Sequence, residues 1–267
     1  MLSVTRYAVK TESLIPYVKH IWYFQQKYGE VHHKLLPTDD IDILINLADD
    51  IIYESDGKRF AAPPCHINGL RSKPGFIHHT GRICVFGISF HAHGLYPFIR
   101  RPLAIQDQIV SLSKLSQPLS EKLQAAVSLN TADQAAEDVE SVLNSELLPE
   151  SGYSIQVKLI KEFLYESAGM TVTAFCDEKG INIKTFERSV KRYTGYAPNI
   201  LYRIRRFQQV SNQLVHRQSS LTDLTYDHQY ADQAHMIREF RRFSGAAPRE
   251  FQKQSISVKE NIGYSYR

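Results

Sequence analysis

Apolar positions change their spacing about a hundred residues into the chain. Before that point they come in short runs rich in β-branched and aromatic residues, at 21–24, 41–47, 51–53, 67–70 and 83–90. Such runs read as strands, and Asp49-Asp50, Asp56-Gly57 and Thr80-Gly81 supply turns between them. Short helices are expected to flank the strands, at 14–18 after Ser13 and at 95–100. Beyond residue 112 the apolar positions fall three and four apart, the spacing of one helix face. Pro118 opens a helix to Leu129, and Thr131 caps another with the stripe Ala135, Val139, Val142, Leu143 and Leu147. Pro149, Ser151 and Gly152 mark a boundary. Ser154 then caps a helix that turns Ile155, Leu159, Ile160, Phe163 and Leu164 inward.

The next stretch nearly repeats itself at about fifty residues. Arg188, Val190, Lys191, Arg192, Tyr193, Thr194, Gly195, Ala197 and Pro198 line up with Arg238, Phe240, Arg241, Arg242, Phe243, Ser244, Gly245, Ala247 and Pro248. Each copy reads as a helix with a defined start and stop. Asn182 and Asp232 are the expected N-caps, and Gly195 and Gly245 suit the left-handed position past a helix end. Pro198 and Pro248 suit the first turn of the helix that follows. A short helix precedes each copy, at 172–179 before Gly180 and at 221–227 after Ser220. Short helix, tight turn and longer helix with a polar outward face make the helix-turn-helix pattern. One such amphipathic helix is usually a solvated surface helix, but two copies with the same cationic signature point to nucleic acid.

The stretch 171–252, about a third of the chain, resembles the DNA-binding domain of AraC/XylS-type transcription regulators, ending in Gly245, Pro248 and Phe251. The resemblance implies two helix-turn-helix units joined by a long helix, here 198–214, with Leu201, Ile204, Phe207 and Leu214 apolar and Arg203, Arg205 and Arg206 outward. It implies that both recognition helices enter successive major grooves, about 34 Å apart. Carried over by position, Lys184, Thr185, Glu187 and Arg188, then Gln233, Ala234, His235 and Arg238, face base edges. Lys191, Arg192, Arg241 and Arg242 face phosphate or solvent. The sequence departs from the pattern at Cys176 and Thr225, where alanine is usual in each short helix. It departs again at Gln229, where a turn glycine is usual, so a looser second turn is expected.

Residues from about 10 to 115 resemble the cupin-like sensory domain that precedes this DNA-binding domain in many such regulators. Leu35-Leu36-Pro37, the run from Asp42 to Leu47, and Gly87-Ile88-Ser89-Phe90 followed by Gly94 carry the resemblance. It implies a β-barrel with a pocket for a small effector. Trp22, Phe24, Phe76, Phe86 and Phe90 are candidate walls, and Asp42, Asn46 and Arg71 candidate polar anchors, although such aromatics are as readily a core. Asp39, Asp40 and Asp42 read better as solvated strand-edge carboxylates than as a catalytic pair. His32-His33, His66, His78-His79 and His91-Ala92-His93 lack the glutamate of a metal-binding cupin motif and read as surface or loop histidines. No metal, cofactor or catalytic set is expected, and there is no phosphate-binding glycine loop.

The fold expected is α+β in two domains, a cupin-like N-terminal β-barrel and an all-α C-terminal tandem helix-turn-helix. The divisions fall at 1–112, a helical linker at 113–152, the DNA-binding domain at 153–254 and a tail at 255–267. From Ser151 onward 18 Lys and Arg stand against 11 Asp and Glu, a net +7, while the first 150 residues net −3. That asymmetry assigns nucleic acid to the C-terminal part. The three cysteines, Cys65, Cys84 and Cys176, fit no zinc spacing and suit a reduced cytoplasm. No signal-peptide pattern or membrane-length apolar run is seen. The sequence thus reads as a cytoplasmic bacterial regulator, not an enzyme, with duplex DNA, a small effector and RNA polymerase as partners. Its linker stripe fits a homodimer or packing within the chain equally well. Two rival readings make the N-terminal domain a protein-interaction module or a cupin-type metalloenzyme. An empty or filled barrel separates the first, and three converging metal ligands the second.

Overall fold

The computed structural model describes residues 4–99, 101–128, 131–148, 154–167, 169–216 and 220–258. Eight strands form one antiparallel sheet: β1 (Val4–Tyr7), β2 (Val18–Leu35), β3 (Ile41–Asn46), β4 (Ile52–Ser55), β5 (Lys58–Ala61), β6 (Cys65–Asn68), β7 (Gly75–Phe90) and β8 (Ile109–Ser111). Their order is β1-β2-β7-β3-β6-β8, and β4, paired with β5, joins β7 farther along. The expected barrel is not closed, because β1 and β8 end the sheet and do not pair with each other. Both are very short, four and three residues, which leaves little free edge.

The sheet is built on the 18-residue β2 and the 16-residue β7. Their polar middles hid their length from the apolar pattern. Thr80-Gly81, expected as a turn, lies inside β7 beside a register shift between Gln26 and Gly29. Gly81 takes φ +116° there, and Asp49 Oδ2 accepts from the Arg82 amide at 2.8 Å. Successive side chains alternate between the two faces. Ile41, Ile43, Ile45, Phe86, Ile88 and Phe90 enter the main core. Trp22, Phe24, Leu44, Tyr53 and Val85 form a smaller cluster on the opposite face.

The helices are α1 (Tyr96–Ile99), α2 (Leu112–Leu115), α3 (Gln117–Ser128), α4 (Ala132–Glu146), α5 (Ser154–Lys161), α6 (Val172–Glu178), α7 (Ile183–Thr194), α8 (Pro198–Val215), α9 (Leu221–Asp227), α10 (Gln233–Ser244) and α11 (Pro248–Val258). A π-turn, Glu162–Glu166, continues α5. The helix expected at 14–18 is only a 3₁₀ turn at Glu12–Leu14, because β2 already begins at Val18. At the other end α11 runs through Val258, into the expected tail. Leu129, Pro149, Ser151, Gly152 and residues 259–267 lie outside the described residues.

The stripe of α4 is spent within the chain: Ala135, Val139 and Leu143 are buried. Glu140 fixes the helix over the β1 edge, its Oε2 accepting from the Thr11 amide at 2.9 Å and the Thr11 hydroxyl at 2.8 Å. One hydrophobic core runs from the sheet through the linker helices into the first helix-turn-helix unit and ends at Leu201. The second unit has its own core, from Ile204 to Phe251.

The caps follow the sequence. Asn182 Oδ1 accepts from the Thr185 amide at 3.1 Å and Asp232 Oδ1 from the His235 amide at 2.6 Å. Gly195 and Gly245 close α7 and α10 at φ +83° and +72°. The looser turn expected at Gln229 is not seen. Gln229 itself takes φ +54°, where Gly180 of the first unit takes +63°. Both turns keep the same pair of hydrogen bonds, Gln229 N to Tyr226 O at 3.0 Å and Tyr230 N to Thr225 O at 3.0 Å in the second. A left-handed glutamine is strained by about 1 kcal/mol relative to glycine. Gln229→Gly should therefore raise the melting temperature by about 2–4 °C. A thermal melt showing no gain, or a loss, means that the packing of its side chain against Gly169 outweighs the strain.

Candidate nucleic-acid interface and ligand cavity

The recognition helices α7 and α10 start at side-chain caps and stop at left-handed glycines, so their registers are set locally. Each buries one face, Phe186, Val190 and Tyr193 in α7 and Met236, Phe240 and Phe243 in α10. The opposite faces are open. Lys184, Thr185, Glu187, Arg188, Lys191 and Arg192 are exposed on α7, as are Gln233, Ala234, Arg238, Arg241 and Arg242 on α10. His235 is half-buried, its ring edge-on to Tyr230 at 5.5 Å. Arg192 is not free: its Nε donates to the Tyr96 hydroxyl at 3.1 Å, which ties α7 to the N-terminal domain.

That tie belongs to a broader seam. The Leu103 amide donates to Arg192 O at 3.3 Å, and the rings of Tyr96 and Tyr193 lie 4.3 Å apart. The Tyr196 hydroxyl donates to Asp107 Oδ2 at 2.9 Å. Farther along, Arg205 of α8 pairs with Asp39 at 2.9 Å and stacks 4.3 Å over the Tyr165 ring. Arg203 and Arg206 pair with Glu239 of α10, each at 2.6 Å. The three arginines expected to face outward are thus all engaged in packing. Helical spacing cannot distinguish a solvated cation from one whose carboxylate partner comes from a distant element.

The carboxylates before β3 also differ from the expectation. Asp39 is 3% exposed. Burial pushes its carboxyl up, but Lys19 and Arg205 outweigh this and hold it below the usual range. Asp40, ion-paired with Lys19, is nevertheless raised to about 7 by burial and by neighbouring Asp39. Asp42 accepts from the Ser89 hydroxyl at 2.5 Å and is raised by burial to about 6.

A cavity of about 210 Å³ opens between the sheet and α8. Trp22, Asp42 and Arg71 line it from the N-terminal domain, and Phe207, Gln208, Ser211 and Asn212 from α8. Of the other expected pocket residues, Phe86 and Phe90 alternate onto the opposite face of β7 and enter the main core. Phe24 packs in the small cluster beyond Trp22, and Asn46 bonds Asp49 O at 2.9 Å. Phe76 meets the His32 ring at 5.5 Å, outside the cavity. Sequence reasoning missed the α8 wall altogether, since nothing in a helical stripe says that its polar side faces a sheet. Gly87 has a physical role beside the resemblance it carries: a Cβ there would overlap the Trp22 ring that crosses it.

Of the histidines, His66, His79 and His93 are buried and structural, whereas His32 is exposed. His66 lies 3.1 Å from the Tyr53 hydroxyl and 2.7 Å from Pro63 O. His93, fully buried, lies 3.1 Å from Pro16 O, and His79 3.0 Å from Arg82 O. Among the described residues no three His, Cys, Asp or Glu side chains converge on a common point. No helix of the described residues is long and apolar enough to cross a membrane.

Residues 11–111 match a domain of unknown function, DUF6597. Residues 175–254 match a family described as a helix-turn-helix domain. No curated protein matches the chain. Similar solved structures include ToxT from Vibrio cholerae O395 bound to (E)-4-(8-methylnaphthalen-1-yl)but-3-enoic acid, at 9% identity and TM-score 0.48 over 86% of this chain and 100% of that one. Unsaturated fatty acid bound wild-type ToxT from Vibrio cholerae strain SCE256 matches at 11% identity and TM-score 0.44, over 87% of this chain and 94% of that one. The C-terminal domain of AraT, a response regulator from Geobacillus stearothermophilus, matches at 15% identity and TM-score 0.35, over 39% of this chain and 88% of that one. The helix-turn-helix match falls on the capped repeat and its exposed cations, so the chain carries at its C-terminal end the tandem DNA-binding domain of AraC/XylS-type transcription regulators.

Proposed function

We propose that the chain regulates transcription by reading duplex DNA with both helix-turn-helix units, and that a small molecule in the cavity against α8 controls that reading. The observation that supports effector control is that two domains share the cavity wall. Phe207, Gln208, Ser211 and Asn212 sit on the helix that joins the two units, while Trp22, Asp42 and Arg71 belong to the sheet. A molecule touching both biases how α8 sits on the sheet, and so how the separately cored second unit is held. The N-terminal domain as a metalloenzyme finds no support in the described residues, where no ligand set converges. RNA polymerase contact and dimerisation remain expectations of the resemblance, and most of the α4 stripe is already packed within the chain.

Arg188 and Arg238 hold equivalent places on α7 and α10 and are both exposed. Each should govern one half of the operator. Arg188→Ala should weaken binding by about 1–3 kcal/mol and relax sequence preference in its own half, and Arg238→Ala likewise in the other, about one helical turn away. Lys191→Ala should instead weaken all sequences alike and make the salt dependence shallower by about one unit of slope. Binding of the full chain to a mutated operator series at fixed salt reads both effects. Equal losses on every sequence for both arginine variants would make them phosphate contacts and sink the tandem base-reading assignment.

A further inference from the structure

The cavity wall carries two residues that each hold a buried polar atom without a partner. Arg71 is 3% exposed, and its Nη1 has no hydrogen-bond partner. Ser211 of α8 is 1% exposed, and its hydroxyl has none either. Both residues line the cavity, one from each domain. Leaving a guanidinium buried without a counter-charge is strongly unfavourable in a folded protein. Yet this one is held in place rather than expelled. Its Nε donates to Asn68 Oδ1 at 3.0 Å. Gly75 leaves room beside it, since a Cβ there would come within 2.8 Å of Nη1. Burial presses against the charged form of Arg71, and Tyr53, Asp107 and Tyr196 favour that form only from a distance, with no ion pair to it.

Resting on the effector reading above, we infer that the cavity takes a small polar monocarboxylate, its acid group on Arg71 and a second polar atom at the Ser211 hydroxyl. A guanidinium presents parallel donors that match a carboxylate in bidentate fashion. A single negative charge is indicated because the walls set the cations Arg6, Lys34 and Arg71 against the carboxylates of Asp40 and Asp42, an excess that one carboxylate balances. A polar body is indicated because His20, Asn68, Gln208 and Asn212 also line the space. An unbranched acyl chain would displace water from those groups without replacing its hydrogen bonds, which is costly. Hydroxy or amino substituents on a short carbon skeleton satisfy them.

The test uses the full chain and a panel of three- to six-carbon hydroxy and amino monocarboxylates. Each acid is run beside its uncharged amide or alcohol counterpart, with hexanoate and inorganic phosphate as the two competing chemistries. Thermal melting and the emission of Trp22, which lines the cavity, report binding. At least one polar acid should raise the melting temperature by roughly 5 °C at a hundredfold excess over Kd, while its uncharged counterpart does not. Arg71→Gln should lose that shift, with affinity down about 10- to 100-fold. Ser211→Ala, a milder change that keeps the charge, should weaken it about 2- to 10-fold. The inference is overturned if no carboxylate of the panel shifts the melt, if hexanoate or phosphate alone does, or if both variants keep the full shift. DNA affinity measured in parallel separates this from the effector reading. A bound acid that leaves operator affinity unchanged sinks effector control and keeps the ligand assignment. An uncharged molecule that changes operator affinity through the cavity does the reverse.

Discussion

Glu239→Ala should cost about 3 kcal/mol and should loosen the second helix-turn-helix unit while the first stays folded. Glu239 is 4% exposed on α10, and its two oxygens take Arg203 Nε and Arg206 Nη2, each at 2.6 Å. Arg206 is itself 9% exposed, with its guanidinium carbon 3.8 Å over the Tyr230 ring. Removing the carboxylate strands that cation in a site it cannot leave, and breaking such a pair typically costs about 3–5 kcal/mol. The lower figure applies because Arg203 is a quarter exposed and can turn to water. The damage should be local, because Phe207, Phe240, Phe243 and Phe251 form a core separate from that of the first unit. Hydrogen exchange resolves the two: amides of α10 should lose protection while those of α7 keep theirs. Operator binding should then weaken in the half governed by Arg238 alone. Pairing Glu239→Leu with Arg206→Met should recover most of the stability, as an apolar replacement of a buried ion pair often does. Equal loss of protection in both units would show that the two cores are coupled after all.

The local rules carried the C-terminal domain. Caps, left-handed glycines and prolines act within a few residues, so Asn182, Asp232, Gly195, Gly245, Pro198 and Pro248 all stand where the sequence predicts them. What the sequence concealed depends on partners far away in the chain. Arg205 looks like a surface cation until Asp39, across a domain boundary, is placed beside it. Asp39 looks like a strand-edge carboxylate for the same reason. Strand faces were half legible. The alternation of Ile41, Ile43 and Ile45 was visible, but which face met helices and which met the cavity was not, so Phe86 and Trp22 were assigned to one pocket although they lie on opposite faces. The Gln229 departure was visible as a missing glycine. Its outcome was not, since either the turn or the residue had to yield, and the residue did.

Acid should unfold the protein well above the pH at which ordinary carboxylates titrate. Four histidines are held neutral, His20, His66 and His93 at about 4 and His91 at about 3, in each case first by burial. In the unfolded chain each takes a proton near pH 6.5. Their stabilisation is therefore present above that value and is lost as pH falls toward 4. Asp40 and Asp42 act in the opposite sense. Raised to about 7 and about 6, they keep protons in the folded state that the unfolded chain releases near pH 4. Between pH 6 and 4, unfolding should then take up about four protons at histidine and release about two at aspartate. The net uptake of about two protons corresponds to a loss of about 2.7 kcal/mol per pH unit. Two pH units at that slope remove about 5 kcal/mol, comparable with the whole stability of many domains. At pH 7 unfolding still takes up about 1 proton at histidine against about 0.6 released at aspartate, so stability should keep rising, ever more shallowly, to about pH 7.5. Urea unfolding at half-unit steps from pH 7.5 to 4.5 measures the slope directly. His66→Phe should reduce the acid slope by about one proton, because its ring is buried against Tyr53 and no longer titrates. A flat profile down to pH 5 in the unsubstituted protein would mean that these histidines take up protons in the folded state, and that their burial does not hold them neutral.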